Sequence, residues 1–208
     1  MSEQADFLRA LWPDGLPDGA RLLIWTLPDK RSRWYADLDV AIVASEALPR
    51  DHDCYIGCGL TETIKGANER ATADDVVALP GFWADVDVAG DGHAGRKRRP
   101  PDLDAARLMA SSFAGIPPSM SVASGHGLQA WWLFKEPLIF KTAAERSVVA
   151  AQLRAFSEAC ASRARGAGYD LDAVYDLARV MRIPGTMNCK VKSKPVPVTL
   201  LSADSHRE

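Results

Sequence analysis

The chain has 208 residues, 47% of them hydrophobic and 25% charged, which predicts one domain with a sizeable core and leaves no room for several. Its 25 basic and 27 acidic residues give a formal net charge of −2, which excludes a histone-like, tail-driven binder of nucleic acid. Any polyanionic partner must therefore be bound by local clusters of basic side chains.

The pattern of apolar and polar residues predicts strands and helices that do not follow a regular βαβ repeat, so we expect a mixed α+β fold. In chain order, the predicted elements are a helix over residues 2–11, a strand over 20–27, a helix capped by Asp37, strands over 54–60 and 81–88, a helix over 102–113, strands over 120–123 and 128–134, a helix that starts at Thr142, and an extended strand over 195–201. Residues 1–208 form a single domain in this prediction.

The predicted strand over residues 81–88 has two different faces. One face is apolar, and the other carries Trp83, Asp85 and Asp87. Two carboxylates on one face repel each other unless a cation lies between them, and their oxygen atoms suit Mg²⁺ or Mn²⁺. Two solvated acids on a strand surface are the alternative, but acids on an otherwise buried strand favour the metal-binding interpretation.

A glycine-rich turn at Ser124, Gly125, His126 and Gly127 joins the next two predicted strands. Glycines let backbone amides approach a phosphate group without obstruction, and His126 could donate a hydrogen bond to that group. Gln129, the first polar side chain of the return strand, could donate one without carrying a charge. An ordinary hairpin with a surface histidine is the alternative.

The stretch from Asp170 to Lys190 combines acidic, basic and apolar residues at high density. The guanidinium groups of Arg179 and Arg182 suit bidentate binding of phosphate, and the lysine offers a point charge. The alternative is a set of structural ion pairs, for example between Asp176 and Arg179. The density of the whole set favours a binding site.

These three stretches together resemble the catalytic domain of the archaeo-eukaryotic primase superfamily, in particular the primase–polymerase domain of phage and plasmid replication proteins. FWADVDVAG is similar to the first family motif, SGHGLQAWWLF to the second, and LDAVYDLARVMRIPGTMNCK to the third, with its R-x-x-R-x-PGT-x-N-x-K signature. A weaker likeness extends from about Leu22 to the end of the chain. The resemblance implies an α+β fold, with a small antiparallel sheet of RRM-like topology flanked by helices.

The resemblance also implies an activity: template-directed nucleotidyl transfer by a DNA primase and polymerase of phage or plasmid replication, with a two-metal mechanism. By the motif match, Asp85, Asp87 and Asp172 are the catalytic carboxylates that bind Mg²⁺ or Mn²⁺, and Asp176 replaces Asp172 if the register differs. The implied nucleotide-binding residues are Ser124, Gly125, His126, Gln129, Arg179, Arg182 and Lys190. The implied partners are a single-stranded DNA template, a primer, (d)NTPs and a helicase domain or protein.

Gln129 stands where the family has a histidine, and an amide cannot carry the positive charge that a histidine can. Either Gln129 or His126 contacts the triphosphate, and Gln129 is the favoured residue.

A basic run formed by Arg96, Lys97, Arg98 and Arg99 is the candidate DNA contact, with a solvated loop as its alternative.

Two other functions compete with this interpretation. A DxD nucleotidyl- or glycosyltransferase would explain Asp85 and Asp87 but not the RIPGTMNCK segment. A catalytically idle domain that binds DNA and recruits a helicase would explain the basic residues but not the acids. Full-length relatives usually append further domains, so we expect this chain to be an excised domain or to work with a larger replication protein.

The sequence also carries information about the cellular compartment. No signal peptide is visible at residues 1–6, and no apolar run approaches the roughly 18 residues of a membrane helix. The four cysteines, Cys54, Cys58, Cys160 and Cys189, form no CxxC pair and suggest no disulfide framework. Cys54 and Cys58 could share a zinc ion with His52, but a buried strand explains them more simply. We expect a cytoplasmic protein with reduced thiols and no contact with a membrane.

Overall fold

The computed structural model of the chain describes residues 2–90 and 97–203. Within these ranges the α-helices are α1 (Glu3–Leu11), α2 (Leu38–Glu46), α3 (Leu103–Ser111) and α4 (Ala143–Gly166), and a short 3₁₀ helix covers Ala73–Asp75. The strands are β1 (Leu22–Leu27), β2 (Arg31–Tyr35), β3 (Asp53–Gly57), β4 (Leu60–Thr61), β5 (Val76–Asp87), β6 (Met120–Ala123), β7 (Gly127–Ile139), β8 (Val180–Arg182), β9 (Met187–Asn188), β10 (Val196–Pro197) and β11 (Thr199–Ala203). No helix in the described ranges is long and apolar enough to cross a membrane.

Each α-helix begins at a side chain that can accept a hydrogen bond from the first turn. The oxygen atoms of Ser2, Asp37, Asp102 and Thr142 accept from the backbone N–H three residues further along. These contacts satisfy N–H groups that have no partner inside the helix. The start of α4 is reinforced because Glu145 accepts from the N–H of Lys141.

The strands form two sheets. One sheet has the order β11-β6-β7-β5-β4, and the other has the order β10-β9-β3-β1-β2, with β8 also paired to β3. The pairings are antiparallel except for the one between β3 and β9. Mixed helices and antiparallel sheets confirm the expected α+β class.

The faces of β5 and β7 determine where the core lies. Trp83 and Trp131 point toward the second sheet and share a buried cluster with Ile24 of β1 and with residues of α1 and α2. Ala84 and Trp132 point the other way, into a second cluster beneath α3 and α4. The predicted alternation along residues 81–88 is therefore correct, and both faces of this sheet are covered.

The predicted single strand over residues 195–201 is wrong. The chain leaves the second sheet after β10 and joins the first sheet as β11, with the buried Val198 between them. Val198 exchanges backbone hydrogen bonds with Gly185 and Thr186 instead of with a strand neighbour. The sequence PVPV is extended throughout, so its pattern does not reveal the change of sheet.

Candidate active site

The end of β5 carries the two carboxylates of the first motif. Asp85 pairs across the ladder with Gln129, and Asp87 pairs with Gly127, at the point where β7 begins. Since Trp83 on the same face is fully buried, the strand runs from the core into a polar cleft as it approaches its end. The strand thereby holds both acids at the boundary between core and solvent.

Both carboxylates face arginines. Arg179 Nη2 lies 3.0 Å from Asp85 Oδ2, and Arg99 Nε lies 3.7 Å from Asp87 Oδ2. Loss of solvent raises the pKa of Asp85; Arg179 opposes this shift, and the charge of Asp87 adds to it. The cleft thus holds an acid whose ionised form is destabilised by its surroundings and is only partly compensated by an arginine.

The glycine-rich turn packs against the hairpin of β9 and β10. A Cβ atom on Gly125, whose φ is +89°, would lie 2.5 Å from Val196 Cγ2. The Asn188 amide donates to the carbonyl of Ser124 at 2.6 Å. This contact fixes the turn at one side of the cleft. Ser124 and His126 both line the cleft.

Gln129 lies in the floor of the cleft, with 4% of its surface exposed. Its Oε1 atom is buried and has no hydrogen-bond partner among the described residues. A buried amide oxygen without a partner costs free energy, and this one belongs to a residue that lines the cleft.

The third motif supplies the opposite wall. Arg179, Arg182 and Lys190 line the cleft. Arg182 lies opposite Tyr55 in the ladder between β8 and β3. Its guanidinium carbon lies 4.9 Å from the centre of the tyrosine ring, and its Nη1 donates to Asp53. The guanidinium group is therefore held from two directions.

Sequence reasoning missed Asp53 and Tyr55, which also line the cleft. Asp53 Oδ1 accepts both from Arg182 and from the backbone N–H of Cys189, the latter at 2.8 Å. The carboxylate thereby joins β3 to β8 and to the segment after β9. The Asp-x-Tyr spacing at the start of the predicted strand over 54–60 was a signal that polar side chains share one face there.

The cleft has a volume of about 400 Å³ and brings together most of the predicted site. Its lining includes eight predicted residues: Asp85, Asp87, Ser124, His126, Gln129, Arg179, Arg182 and Lys190. Side chains from both sheets contribute, so the cleft opens where the sheets separate. A volume of this size is within the usual range of small-molecule sites.

Asp172 is not among the cleft residues. Its side chain is 59% exposed and forms an ion pair with Lys97. Asp172 lies in the irregular segment between α4 and β8 and belongs to no strand. The structure therefore does not bring Asp172 to Asp85 and Asp87. Asp176, the alternative register, accepts from the N–H of Ala178.

Asp176 is also exposed and, like Asp172, is not among the residues that line the cleft. Burial raises the pKa of the Cys58 thiol, and the charges of Arg179, Asp85 and Asp176 act on it as well. Among the described residues, no third carboxylate forms a ready-made cluster with Asp85 and Asp87.

The predicted DNA-contacting run is largely paired with acidic residues. Arg96 lies outside the described residues. Lys97 pairs with Asp172, Arg98 with Asp170, and Arg99 with Asp87. The backbone of Arg98 also exchanges hydrogen bonds with Asp170, which ties this segment to the one after α4. These contacts reduce the positive charge that the run would present to a polyanion.

The zinc alternative finds no support in the geometry. Cys54 Sγ contacts backbone carbonyl groups, and His52 pairs with Asp51. Burial, together with the nearby charge of Asp53, raises the pKa of Cys54 to about 12. Within residues 2–90 and 97–203, no three metal-ligating side chains form a ready-made cluster.

The two sheets with their flanking helices form a fold that is also found in a solved primase–polymerase domain. The structure is similar to the AEP domain of the primase–polymerase of cyanophage S-2L, with a TM-score of 0.57 and 17% identity, over 99% of this chain and 92% of that one. It is also similar to the catalytic domain of primase Repb' in complex with initiator DNA, with a TM-score of 0.48 and 17% identity, over 99% and 86%. No protein-family model and no curated protein matches the sequence significantly. The similarity to the first of these structures confirms the α+β fold that the resemblance implied.

Proposed function

We propose that this protein catalyses template-directed nucleotidyl transfer, as a DNA primase and polymerase in phage or plasmid replication. The observation that carries the proposal is the convergence of Asp85 and Asp87 with Arg179, Arg182 and Lys190 in one cleft. Adjacent carboxylates suit divalent cations, and the basic residues suit the phosphates of a nucleotide. A cleft that holds both groups fits a metal-bound nucleoside triphosphate.

The donor set of the cleft fits Mg²⁺ or Mn²⁺. The two oxygen-ligand residues would be Asp85 and Asp87, with Asp176 as the proposed third carboxylate. A cation here would offset the raised pKa of Asp85, since a neighbouring positive charge favours the ionised carboxylate. The chemistry that such ions supply is activation of the attacking hydroxyl and stabilisation of the departing pyrophosphate.

The residues of the third motif would bind the triphosphate. Arg179 contacts Asp85 through Nη2, while its buried Nε has no hydrogen-bond partner among the described residues. The same guanidinium group can therefore bind a phosphate oxygen while it stays beside the carboxylate. Arg182, held by Asp53, and Lys190 add positive charge where the α-phosphate becomes more negative during attack.

Gln129 is the proposed neutral donor to the triphosphate, in the place where the resembled family has a histidine. Its amide can donate to one phosphate oxygen, and its buried Oε1 is free to accept from a bound water or nucleotide hydroxyl. In the proposed reaction, the 3′-hydroxyl of a primer or of an initiating nucleotide attacks the α-phosphate and pyrophosphate leaves. A single-stranded DNA template selects the nucleotide, and a helicase domain or protein would separate the strands.

The test is nucleotide incorporation on a single-stranded template with Mg²⁺ or Mn²⁺, with and without an annealed primer. Asp85→Ala/Asp87→Ala is expected to abolish incorporation and to retain DNA binding. The matched control is Asp172→Ala, which removes an exposed carboxylate outside the cleft and is expected to leave incorporation within about twofold of wild type. Asp176→Ala is expected to reduce it at least roughly a hundredfold, as for a metal-binding residue.

Other outcomes would favour the competing functions. DNA binding without any incorporation by the wild-type protein would favour a catalytically idle domain that recruits a helicase. Metal-dependent turnover of a nucleotide sugar would favour a DxD transferase. Loss of activity in Asp172→Ala, with activity kept in Asp176→Ala, would restore the first register for the third carboxylate.

A further inference from the structure

The segment that contains β8, β9 and β10 has basic side chains and no acidic ones. From Leu177 to Ser202 it contains five basic residues and no acidic residue, although acidic residues outnumber basic ones in the whole chain. Three of the five, Lys190, Lys192 and Lys194, occur at alternate positions in the turn between β9 and β10. A concentrated positive charge of this kind is the local cluster that an acidic protein needs to bind a polyanion.

The base of this turn is fixed to the walls of the cleft. β9 and β10 pair through Asn188 and Val196, and the N–H of Cys189 donates to Asp53 at 2.8 Å. The N–H of Lys194 donates to the carbonyl of Val191 at 2.9 Å, so the tip is a closed turn. The lysines therefore extend from a preorganised loop.

The turn leads away from the catalytic cleft. Lys190 lines the cleft, whereas Lys192 and Lys194 are exposed beyond it. Four residues span at most about 14 Å, so the last lysine stays within a few nucleotides of the cleft. Lysine presents a point charge on a flexible stem, which suits phosphate contacts that do not depend on base sequence.

Two described acidic side chains beside the base of the turn are bound to other groups. Asp53 accepts from Arg182 and from the N–H of Cys189, and Asp51 pairs with His52. The described residues of the basic run after β5 form ion pairs with Asp172, Asp170 and Asp87. Since these ion pairs reduce the positive charge of the run, it is the weaker candidate for a contact with nucleic acid.

We propose that the β9–β10 turn binds the phosphate backbone of a single-stranded nucleic acid outside the cleft, through Lys192 and Lys194. This inference rests on the proposed function, since it identifies where the template strand leaves the active site. It replaces the run at residues 96–99 as the principal backbone contact. The binding is independent of base sequence and depends strongly on salt.

The experiment measures binding of a fluorescent single-stranded oligonucleotide by anisotropy over a series of salt concentrations. Each phosphate contact on a single strand contributes about −0.7 to the slope of log K against log salt. Lys192→Ala/Lys194→Ala is expected to lower the magnitude of the slope by about 1.4 and to weaken binding roughly tenfold at about 0.1 M salt. The matched control, Lys97→Ala/Arg98→Ala, is expected to keep the wild-type slope. Circular dichroism spectra confirm that both variants are folded.

The outcomes separate this inference from the proposed function. A wild-type slope in Lys192→Ala/Lys194→Ala, or a larger loss in the control, would overturn the assignment of the turn even if the wild-type protein incorporates nucleotides. A reduced slope with no incorporation by wild type would support the turn and contradict the proposed polymerase. Failure of the wild-type protein to bind the oligonucleotide at low salt would overturn both.

Discussion

The ionised carboxylate of Asp85 lowers the stability of the folded protein. Burial raises the pKa of its carboxyl group, with Arg179 opposing the shift and Asp87 adding to it. An acid whose pKa is higher in the folded state than in the unfolded state destabilises the fold when it is ionised. This penalty is absent below the unfolded pKa and complete above the folded pKa.

The first prediction follows from the sign of that shift. Asp85→Asn removes the ionisable group and keeps a side chain of similar size, so the variant is expected to be more stable than wild type at pH 7. The difference should shrink as the pH falls below the raised pKa of Asp85 in the folded state, and it should be lost below the unfolded value of about 4. Thermal denaturation at several pH values measures the difference in stability between Asp85→Asn and wild type.

Asp170 provides a control of opposite sign. Hydrogen bonds from Arg98 lower the pKa of Asp170, so Asp170→Asn is expected to lose stability at pH 7 and to approach wild type at low pH. If Asp85→Asn is less stable than wild type at neutral pH, the pairing with Arg179 outweighs burial and the account of this site is wrong.

The residues that could be predicted from sequence are those whose position follows from strand alternation. Asp85 and Asp87 lie on the expected face because every second residue of a strand points the same way. Asp172 lies in an irregular segment, where spacing along the chain does not determine position in space. Asp53 and Tyr55 belong to a strand that joins the cleft through its pairing with β8 and β9, and these are long-range contacts without a local pattern.

At the scale of elements, the ladder between β5 and β7 controls the geometry of the carboxylates. The two strands approach closely at Gly127, where a Cβ atom would lie 2.4 Å from the carbonyl oxygen of Val86. This contact is with backbone, so it cannot be relieved by rotation of a side chain. The strands must separate there to accommodate any larger residue, directly beside Asp87.

The close contact between β5 and β7 at Gly127 can be tested by adding a methyl group there. Gly127→Ala is expected to destabilise the protein by roughly 1–3 kcal/mol, because the added methyl group forces the strands apart. Gly166→Ala is the matched control: it lies at the end of α4 with open space around it and is expected to be neutral or stabilising by up to about 1 kcal/mol. Urea denaturation of both variants measures these changes, and equal stability of the two would contradict the close approach.

The order and type of most elements could be predicted because capping residues, glycine turns and apolar periods are local signals. The assignment of strands to two sheets could not. β10 and β11 are neighbours in sequence, but they belong to different sheets because Val198 between them bonds to the Gly185–Thr186 turn. Such a choice depends on which edges are available in the folded molecule.

At the scale of the whole molecule, one cluster of buried residues joins the two sheets. Phe7 of α1 packs edge-on against Trp131 of β7, with ring centres 6.2 Å apart, and Trp131 contacts Trp83 of β5. The same cluster includes Ile24 and Ile56 of the second sheet. The cleft lies where this shared core ends, so the relative position of its two walls depends on the core.

The last prediction tests whether the chain unfolds as the single domain expected from its length. Phe7 is completely buried, and Phe7→Ala is expected to destabilise the protein by about 3–5 kcal/mol. Because one core serves both sheets, urea transitions followed by tryptophan fluorescence and by circular dichroism should shift together. Leu108→Ala, at a side chain that is 77% exposed, is the control and should change stability by less than about 0.5 kcal/mol. Transitions that separate in Phe7→Ala would show that the sheets unfold independently, and the walls of the cleft would then be two units rather than parts of one domain.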